Sequence, residues 1–269
     1  MPDIDLLKLF LSFVFGLIMG SFFNVCIHRL PSGESVVFPP SHCPYCKTHL
    51  RFYDNIPLLS YLLLLGRCRY CKSRISPVYP VVELLSGLIS VLLLWRFGLT
   101  VQTLFLFSFL SALLVVSFID IRHMIIPNVI TLPGIAVGLL YSGLNTDWYV
   151  LRDLSKTGWS VVIGTPIMDS LVGVALGAGM LLLIGGIYEL VRKKEGLGMG
   201  DVKLLAMIGA FLGWKGVLFV AFTSSVLGTV VGVLVMLYRG KDLGYALPFG
   251  PFLSLAAAIY CFIGGFGSL

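Results

Sequence analysis

Apolar residues run nearly unbroken through eight stretches of the chain, roughly 6–27, 80–98, 101–119, 128–144, 170–191, 203–216, 217–237 and 248–266. A bilayer core of ~30 Å needs about 20 apolar residues of helix, and most of these stretches approach that length. The sixth is short and shares the turn Gly213-Trp214-Lys215-Gly216 with the seventh. Glycines punctuate the later stretches at Gly173, Gly177, Gly179, Gly185, Gly186, Gly228 and Gly232. In water they would argue against helix, but in lipid small residues let helices approach closely. The pattern predicts an all-α polytopic membrane protein with about eight transmembrane helices. Two polar stretches interrupt it: residues 28–79, the one sizeable polar module, and residues 145–169, read as a plain loop. The sequence shows no tandem repeat and no low-complexity tract.

Composition agrees with this reading. Of 269 residues 58% are hydrophobic and 12% charged, with a mean hydropathy of +0.98. Soluble domains carry about 25% charged residues, so a soluble fold is excluded, and intrinsic disorder with it. The 19 Lys and Arg against 13 Asp and Glu give +6. In a membrane protein, basic residues report orientation rather than a nucleic-acid partner. An eight-span arrangement puts fourteen of the 19 basic residues on the side of the connections 28–79, 120–127, 192–202 and 238–247. It leaves Lys8, Arg96, Arg152, Lys156 and Lys215 elsewhere. That asymmetry predicts a cytoplasmic 28–79 module and both termini outside. The start Met1-Pro2-Asp3-Ile4-Asp5 lacks the basic region of a cleaved signal, so the first stretch is read as an uncleaved span.

The polar module contains two CxxC pairs, Cys43-Pro-Tyr-Cys46 and Cys68-Arg-Tyr-Cys71, with 21 residues between them. Four thiolates from two knuckles suit tetrahedral zinc, and a reducing cytoplasm disfavours disulfides. Lys47, Arg69 and Lys72 favour thiolate over thiol. The expected site is a structural four-cysteine zinc ribbon of Cys43, Cys46, Cys68 and Cys71, with a redox dithiol pair as the alternative. Metal would fold a loop too small for a core of its own. Cys26 and Cys261 lie in apolar stretches and read as buried hydrophobes. His42 and His49 flank the first knuckle as surface residues.

Ionisable groups near a bilayer core are costly and point to function. Asp120 ends the third stretch and Asp201 opens the sixth, in Gly198-Met199-Gly200-Asp201-Val202-Lys203. The predicted topology puts both at one membrane face, where helix packing could bring them together. Two close carboxylates share a proton, the state in which one activates water and the other polarises a carbonyl. Gly198 and Gly200 would let backbone approach a substrate or the other catalytic helix. The structural alternatives are that Asp201 caps a helix and that Asp120 pairs with Arg122. Glu83 reads as a cap in the first turn of the second span. Asp169 falls on the opposite side, and Glu189 and Glu195 sit among Arg192, Lys193 and Lys194. Zinc-protease HExxH and GxSxG patterns are absent.

Several segments together resemble the bacterial prepilin peptidases, over nearly the whole chain. They are Gly20-Ser21-Phe22-Phe23-Asn24-Val25, Arg29-Leu30-Pro31, the two cysteine pairs and Asp54-Asn55-Ile56-Pro57-Leu58-Leu59-Ser60-Tyr61. Tyr79-Pro80, Asp120 with Ile126-Pro127-Asn128, Gly198 to Leu204 and Pro248-Phe249-Gly250-Pro251-Phe252 complete the set. The resemblance implies an inner-membrane aspartic peptidase of the GxGD type, with Asp120 and Asp201 catalytic and Gly198, Gly200 and Lys203 in the supporting motif. Such enzymes remove the basic leader of type IV prepilins and type II secretion pseudopilins at the cytoplasmic face. Members with the cysteine module also N-methylate the new N-terminus with S-adenosylmethionine.

The expected division is a first helix at 1–27, a cysteine module at 28–79 and a transmembrane domain at 80–269, with both termini periplasmic by the charge asymmetry; the resemblance implies that the module is methyltransferase-associated and that the last part is the peptidase domain. Candidates for the methyl-donor site are Asn24, Arg29, Asp54, Asn55, Arg67 and Glu83. Cys26 departs from the family's Val or Leu. Expected partners are prepilins, pseudopilins and the bilayer, without nucleic acid; the oligomeric state is not readable. The alternatives are a peptidase alone, a methyltransferase with inert aspartates, or a non-enzymatic zinc-ribbon membrane scaffold or small transporter.

Overall fold

Where no water reaches the backbone, a segment must satisfy its own N–H and C=O groups, and a helix does so internally. The apolar runs are all helical in the computed structural model, which describes residues 5–144, 165–192, 198–239 and 247–263. The helices are α1 (Leu6–Arg29), α2 (Leu59–Leu63), α3 (Val78–Phe97), α4 (Val101–His123) and α5 (Asn128–Leu144). They continue with α6 (Pro166–Arg192), α7 (Met199–Arg239) and α8 (Gly250–Ile263). Among the described residues five stretches are long and apolar enough to cross a membrane: Leu6–Ser32, Val78–Phe97, Val101–His123, Pro166–Val191 and Met199–Tyr238. The apolar helices α5 and α8 are shorter, at 17 and 14 residues. Of the predicted loop 145–169, residues up to 164 lie outside the described residues. So do Lys193, Lys194 and Glu195 and the connection 240–246.

The chain divides into two units, Met1–Val115 and Val116–Leu269. In the first, α1 and α3 pack antiparallel through a stripe of small residues. Ser12 Oγ meets Ser90 Oγ at 2.7 Å, and Asn24 Nδ2 donates to Tyr79 O at 3.0 Å. Between these ends Gly16 and Gly20 let the backbones touch. A Cβ on Gly16 would lie 2.6 Å from Ser86 O and 2.7 Å from Gly87 Cα. Because backbone cannot yield there, Gly16→Val is expected to force the helices apart at a cost of about 1–3 kcal/mol. Thermal unfolding in detergent should show a Tm several degrees lower, whereas Gly179→Val, with open space at its Cβ, should leave it unchanged.

The second unit is built around the first half of α7. Leu204, Leu205, Met207, Ile208 and Ala210 are fully buried, which suits a helix apolar on every side. On one side it runs parallel to α5: Lys203 reaches Asn128, and Tyr141 stacks on Phe211. On the other it runs antiparallel to α6, where Gly177 faces Leu205 and Gly173 faces Gly209.

The sixth and seventh predicted stretches meet at a single residue, Gly213, with φ 70° and ψ −177°. The expected four-residue turn shrinks to one because glycine takes positive φ without a Cβ clash. Beyond it α7 lies antiparallel to α8, with Phe219 against Tyr260 and Gly228 near Phe252. Pro251 occupies the first turn of α8, where its missing N–H costs nothing.

Candidate active site and metal centre

The last turn of α4 carries Asp120, which is 5% exposed, and the first turn of α7 carries Asp201. Eighty-one residues apart in sequence, the two aspartates line one cavity of about 250 Å³ with Met124, Ile125, Ile126, Gly198 and Gly200. Asp120 Oδ2 accepts the Gly250 N–H at 2.9 Å. Asp201 is set by the start of its helix, its N–H bonded to Gly198 O at 3.1 Å.

The surrounding residues hold this arrangement. Gly200 packs on the segment after α4, where a Cβ would come within 2.9 Å of Ile126 Cβ. Gly198 sits beside the carboxylate itself, its Cβ position 3.5 Å from Asp201 Oδ2. Lys203 Nζ donates to Asn128 Oδ1 at 2.8 Å and so ties the start of α7 to the start of α5. Asp169 packs beside Gly213, at the opposite end of this half-helix from Asp201.

Gly250 and Ile126 stand in segments that carry the family resemblance but received no role from the sequence, and Met124 and Ile125 of the cavity were not singled out at all. The signal for Gly250 was its proline-flanked helix start, but nothing in the sequence links it to Asp120. A Cβ on Gly250 would lie 2.8 Å from Asp120 Oδ2 and 3.4 Å from Ile126 Cδ1. Gly250→Ala is therefore expected to displace the carboxylate and lower kcat about 100-fold, the scale of a misplaced reacting group. KM should change little. Gly228→Ala, whose Cβ has ordinary contacts at 3.6 Å and beyond, should keep wild-type kinetics.

The four cysteines come together in the first unit. The Sγ atoms of Cys43, Cys46, Cys68 and Cys71 lie within 4.8 Å of one another, so they can hold a metal ion. Both knuckles have the same local build. Cys43 N–H donates to Thr48 O and Cys68 N–H to Ser73 O; the N–H groups of Lys47 and Lys72 return to Cys43 O and Cys68 O. Lys47 and Lys72 take the left-handed conformation, with φ 58° and 59°. The sequence reading found no tandem repeat, yet the module repeats this turn. Ser73 Oγ, 3.0 Å from Cys71 Sγ, together with the Ser73 backbone lowers the Cys71 thiol to about 6. Thiolate is the form a metal requires. His42 and His49 pair across the first knuckle, and Cys26 and Cys261 are buried among apolar residues.

The six methyl-donor candidates separate into two groups. Arg29 and Asn55 line a larger cavity of about 640 Å³ in the first unit. Asn24 ties α1 to α3. Asp54 accepts Arg69 Nε at 2.6 Å and the Tyr70 hydroxyl at 3.2 Å, which hold it below the usual carboxylate range against its desolvation. Arg67 pairs with Arg74 in a bridge around the second knuckle. Glu83 corrects the capping expectation: it sits beyond the first turn of α3. Its Oε2 accepts the Leu58 N–H at 2.9 Å, where Leu58 holds a strained φ of 59°.

The two centres fall in segments that match different family models. The model of the bacterial peptidase A24 N-terminal domain matches residues 14–97, and that of the type IV leader peptidase family matches residues 107–233. A Pseudomonas putida prepilin leader peptidase/N-methyltransferase is 35% identical over 93% of this chain and 88% of its own length. Its Aeromonas hydrophila counterpart is 36% identical over 93% and 88%. A Myxococcus xanthus protein of the same name is 40% identical over 85% of this chain and 63% of its own. No solved structure matches the chain. With both domain models in sequence order and relatives aligned across most of both lengths, the chain belongs to the type IV leader peptidase family.

Proposed function

We propose that the protein removes the leader from type IV prepilins and pseudopilins and N-methylates the exposed residue, using S-adenosylmethionine as donor. The observation that carries the peptidase reading is the single cavity shared by Asp120 and Asp201. With one proton between them, one carboxylate takes a proton from water while the other donates to the carbonyl oxygen of the scissile bond. The hydroxide equivalent attacks that carbon, and collapse returns a proton to the leaving amine. Asp120 enters this chemistry held by Gly250, and Asp201 by the turn from Gly198. A substrate whose cleavage point lies at the membrane edge is delivered by sharing the bilayer, which supports proximity.

Methyl transfer joins the amine nitrogen to the donor methyl carbon. The sulfonium–methyl bond breaks, its electron pair stays on sulfur, and the new ammonium releases a proton. The names borne by the relatives support this second activity, and its natural seat is the first unit with the cysteine module at 28–79. Zinc suits the cysteines: thiolates at ~2.3 Å in a tetrahedron lie about 3.8 Å apart, and Cys43 Sγ to Cys71 Sγ is 3.8 Å. The peptidase chemistry belongs to the helices that follow. We read the arrangement as about eight spans in the bacterial inner membrane, with α5, α8 and the two halves of α7 counted separately. The basic asymmetry then places both sites in the cytoplasm and the termini outside.

The deciding experiment incubates purified protein with a prepilin and labelled S-adenosylmethionine. A shortened pilin carrying label is the expected product. Shortening without label supports the peptidase alone, and no change in any prepilin supports the scaffold reading.

A further inference from the structure

The 640 Å³ cavity runs along one stripe of α1, from Val14 through Ile18, Ser21 and Val25 to Arg29. Positions three or four apart share a helix face. The opposite wall is made by the segments 36–41 and 52–57, and the whole cavity lies in the first unit. Val14 to Val25 covers eleven residues, about 16 Å of helix, and one leaflet of a ~30 Å hydrocarbon core is about 15 Å deep. Arg29 follows one turn later, about 6 Å further along, where the headgroup region adds about 5–8 Å to each side of that core. Ser21 is the one polar side chain on the apolar length, and its hydroxyl donates to Glu83.

Both walls suit a lipid. The α1 wall belongs to the stretch Leu6–Ser32, long and apolar enough to cross a membrane. Val37, Phe52 and Ile56 line the other wall and are exposed, although they stand in the polar module. Exposed apolar surface of that kind marks contact with a partner or a membrane.

Arg29 supplies the charge. It is 7% exposed, yet among the described residues it makes no ion pair. Its one described hydrogen bond runs from Nη1 to Ser35 O at 2.9 Å. A guanidinium carries five N–H donors, and a buried charge without a counter-ion is strongly unfavourable. The end of α1 favours a cation, but neither it nor Ser35 neutralises a full charge. A phosphate does, through paired charge-assisted hydrogen bonds. Arg29 is also the only ionisable side chain in the lining, so an ethanolamine or choline headgroup would find no acid for its ammonium. The hydroxyls of a glycerol headgroup are matched by Ser41 and Asn55 on the opposite wall.

We propose that this cavity seats one anionic glycerophospholipid of the phosphatidylglycerol type, its phosphate on Arg29 and one acyl chain along Val14 to Val25. The lipid bridges α1 and the base of the cysteine module, at the point where the membrane span gives way to polar chain. The site depends on α1 being a membrane span and on neither enzymatic activity.

The test reconstitutes the full-length protein in nanodiscs of equal parts phosphatidylcholine, phosphatidylethanolamine and phosphatidylglycerol with the same acyl chains. The protein is then exchanged into detergent, and the lipids it retains are counted by mass spectrometry. Wild type is expected to keep about one phosphatidylglycerol per chain, enriched about tenfold or more over the other two, the scale of a hydrogen bond to a charged group. Arg29→Gln should abolish the preference and Arg29→Lys should keep part of it. Arg51→Gln, which removes an exposed cation of the same module outside the cavity, should leave it unchanged. A wild type without the preference overturns the site, whether or not the variants fold. A preference that survives Arg29→Gln overturns it too. So does one that falls equally in Arg51→Gln, since basic residues at large would then attract the lipid. Displacement of the retained lipid by millimolar inorganic phosphate also overturns it, because the ligand would then be a free anion.

Discussion

Asp120→Asn and Asp201→Asn are each expected to lower prepilin cleavage about 10³-fold or more, the upper range for losing a positioned acid or base. The amide is the informative replacement. Asn keeps an oxygen that can still accept the Gly250 N–H, now 2.9 Å from Asp120 Oδ2, so the local packing has no reason to change. It cannot move a proton at neutral pH. Either variant alone should reach the full loss, because a pair acting as one unit fails when one member is removed. The measurement is single-turnover cleavage of a purified prepilin in detergent. Unchanged elution in size exclusion and unchanged metal content at Cys43, Cys46, Cys68 and Cys71 show that the protein is still folded. Full cleavage by either variant would remove that aspartate from the mechanism.

Metal removal should have the second large effect, confined to the first unit. Purified protein is expected to hold one zinc per chain. Stripping it with a strong chelator, or replacing Cys43 or Cys68 by Ser, should unfold the module between Ser35 and Ser76. Structural zinc contributes about 10–16 kcal/mol of apparent binding free energy in small finger peptides, and there it is folding free energy. The knuckles have little else: residues 34–59 expose Val37, Phe38, Tyr45, Phe52 and Ile56, and the buried side chains of the two knuckles are Cys43 and Cys68. The readout is limited proteolysis of the full-length protein, with cleavage in this segment accelerated at least tenfold in the metal-free form. Metal-free protein that stays as resistant as the holoprotein would refute a structural metal. A redox pair would show a different result, disulfides that form and reduce reversibly with no bound metal.

The elements were legible because the forces that make them are local. An apolar stretch of about 20 residues has few ways to satisfy its backbone in lipid, so the runs at 6–27, 80–98 and 101–119 reappear as α1, α3 and α4 within a few residues. The break between the sixth and seventh stretches was also readable, since Gly213 and Gly216 mark it. Its compression into one residue was not, because that depends on how both halves pack. The two CxxC pairs announced a shared site through spacing alone. The sequence could not show that each knuckle closes by the same pair of backbone bonds.

Glu83 illustrates the limit well. Near a helix start, an acid reads as a cap by default, yet its partner is the N–H of Leu58, twenty-five residues earlier and in a strained conformation. Gly250 is a sharper case. It lies 130 residues from the carboxylate it holds, and no local pattern carries information over that distance.

By itself, then, the sequence determined a helical membrane protein, a four-cysteine module and two aspartates on one predicted face, because periodicity, spacing and the cost of charge in lipid act residue by residue. Only the tertiary structure decided that Asp120 and Asp201 open into one cavity, that Gly250 and Gly198 set their positions, and that Arg29 is left buried without a described counter-ion beside the 640 Å³ cavity of the first unit. Those facts arise where helices distant in sequence meet, and the meeting is fixed by backbone approach at particular glycines rather than by any single segment.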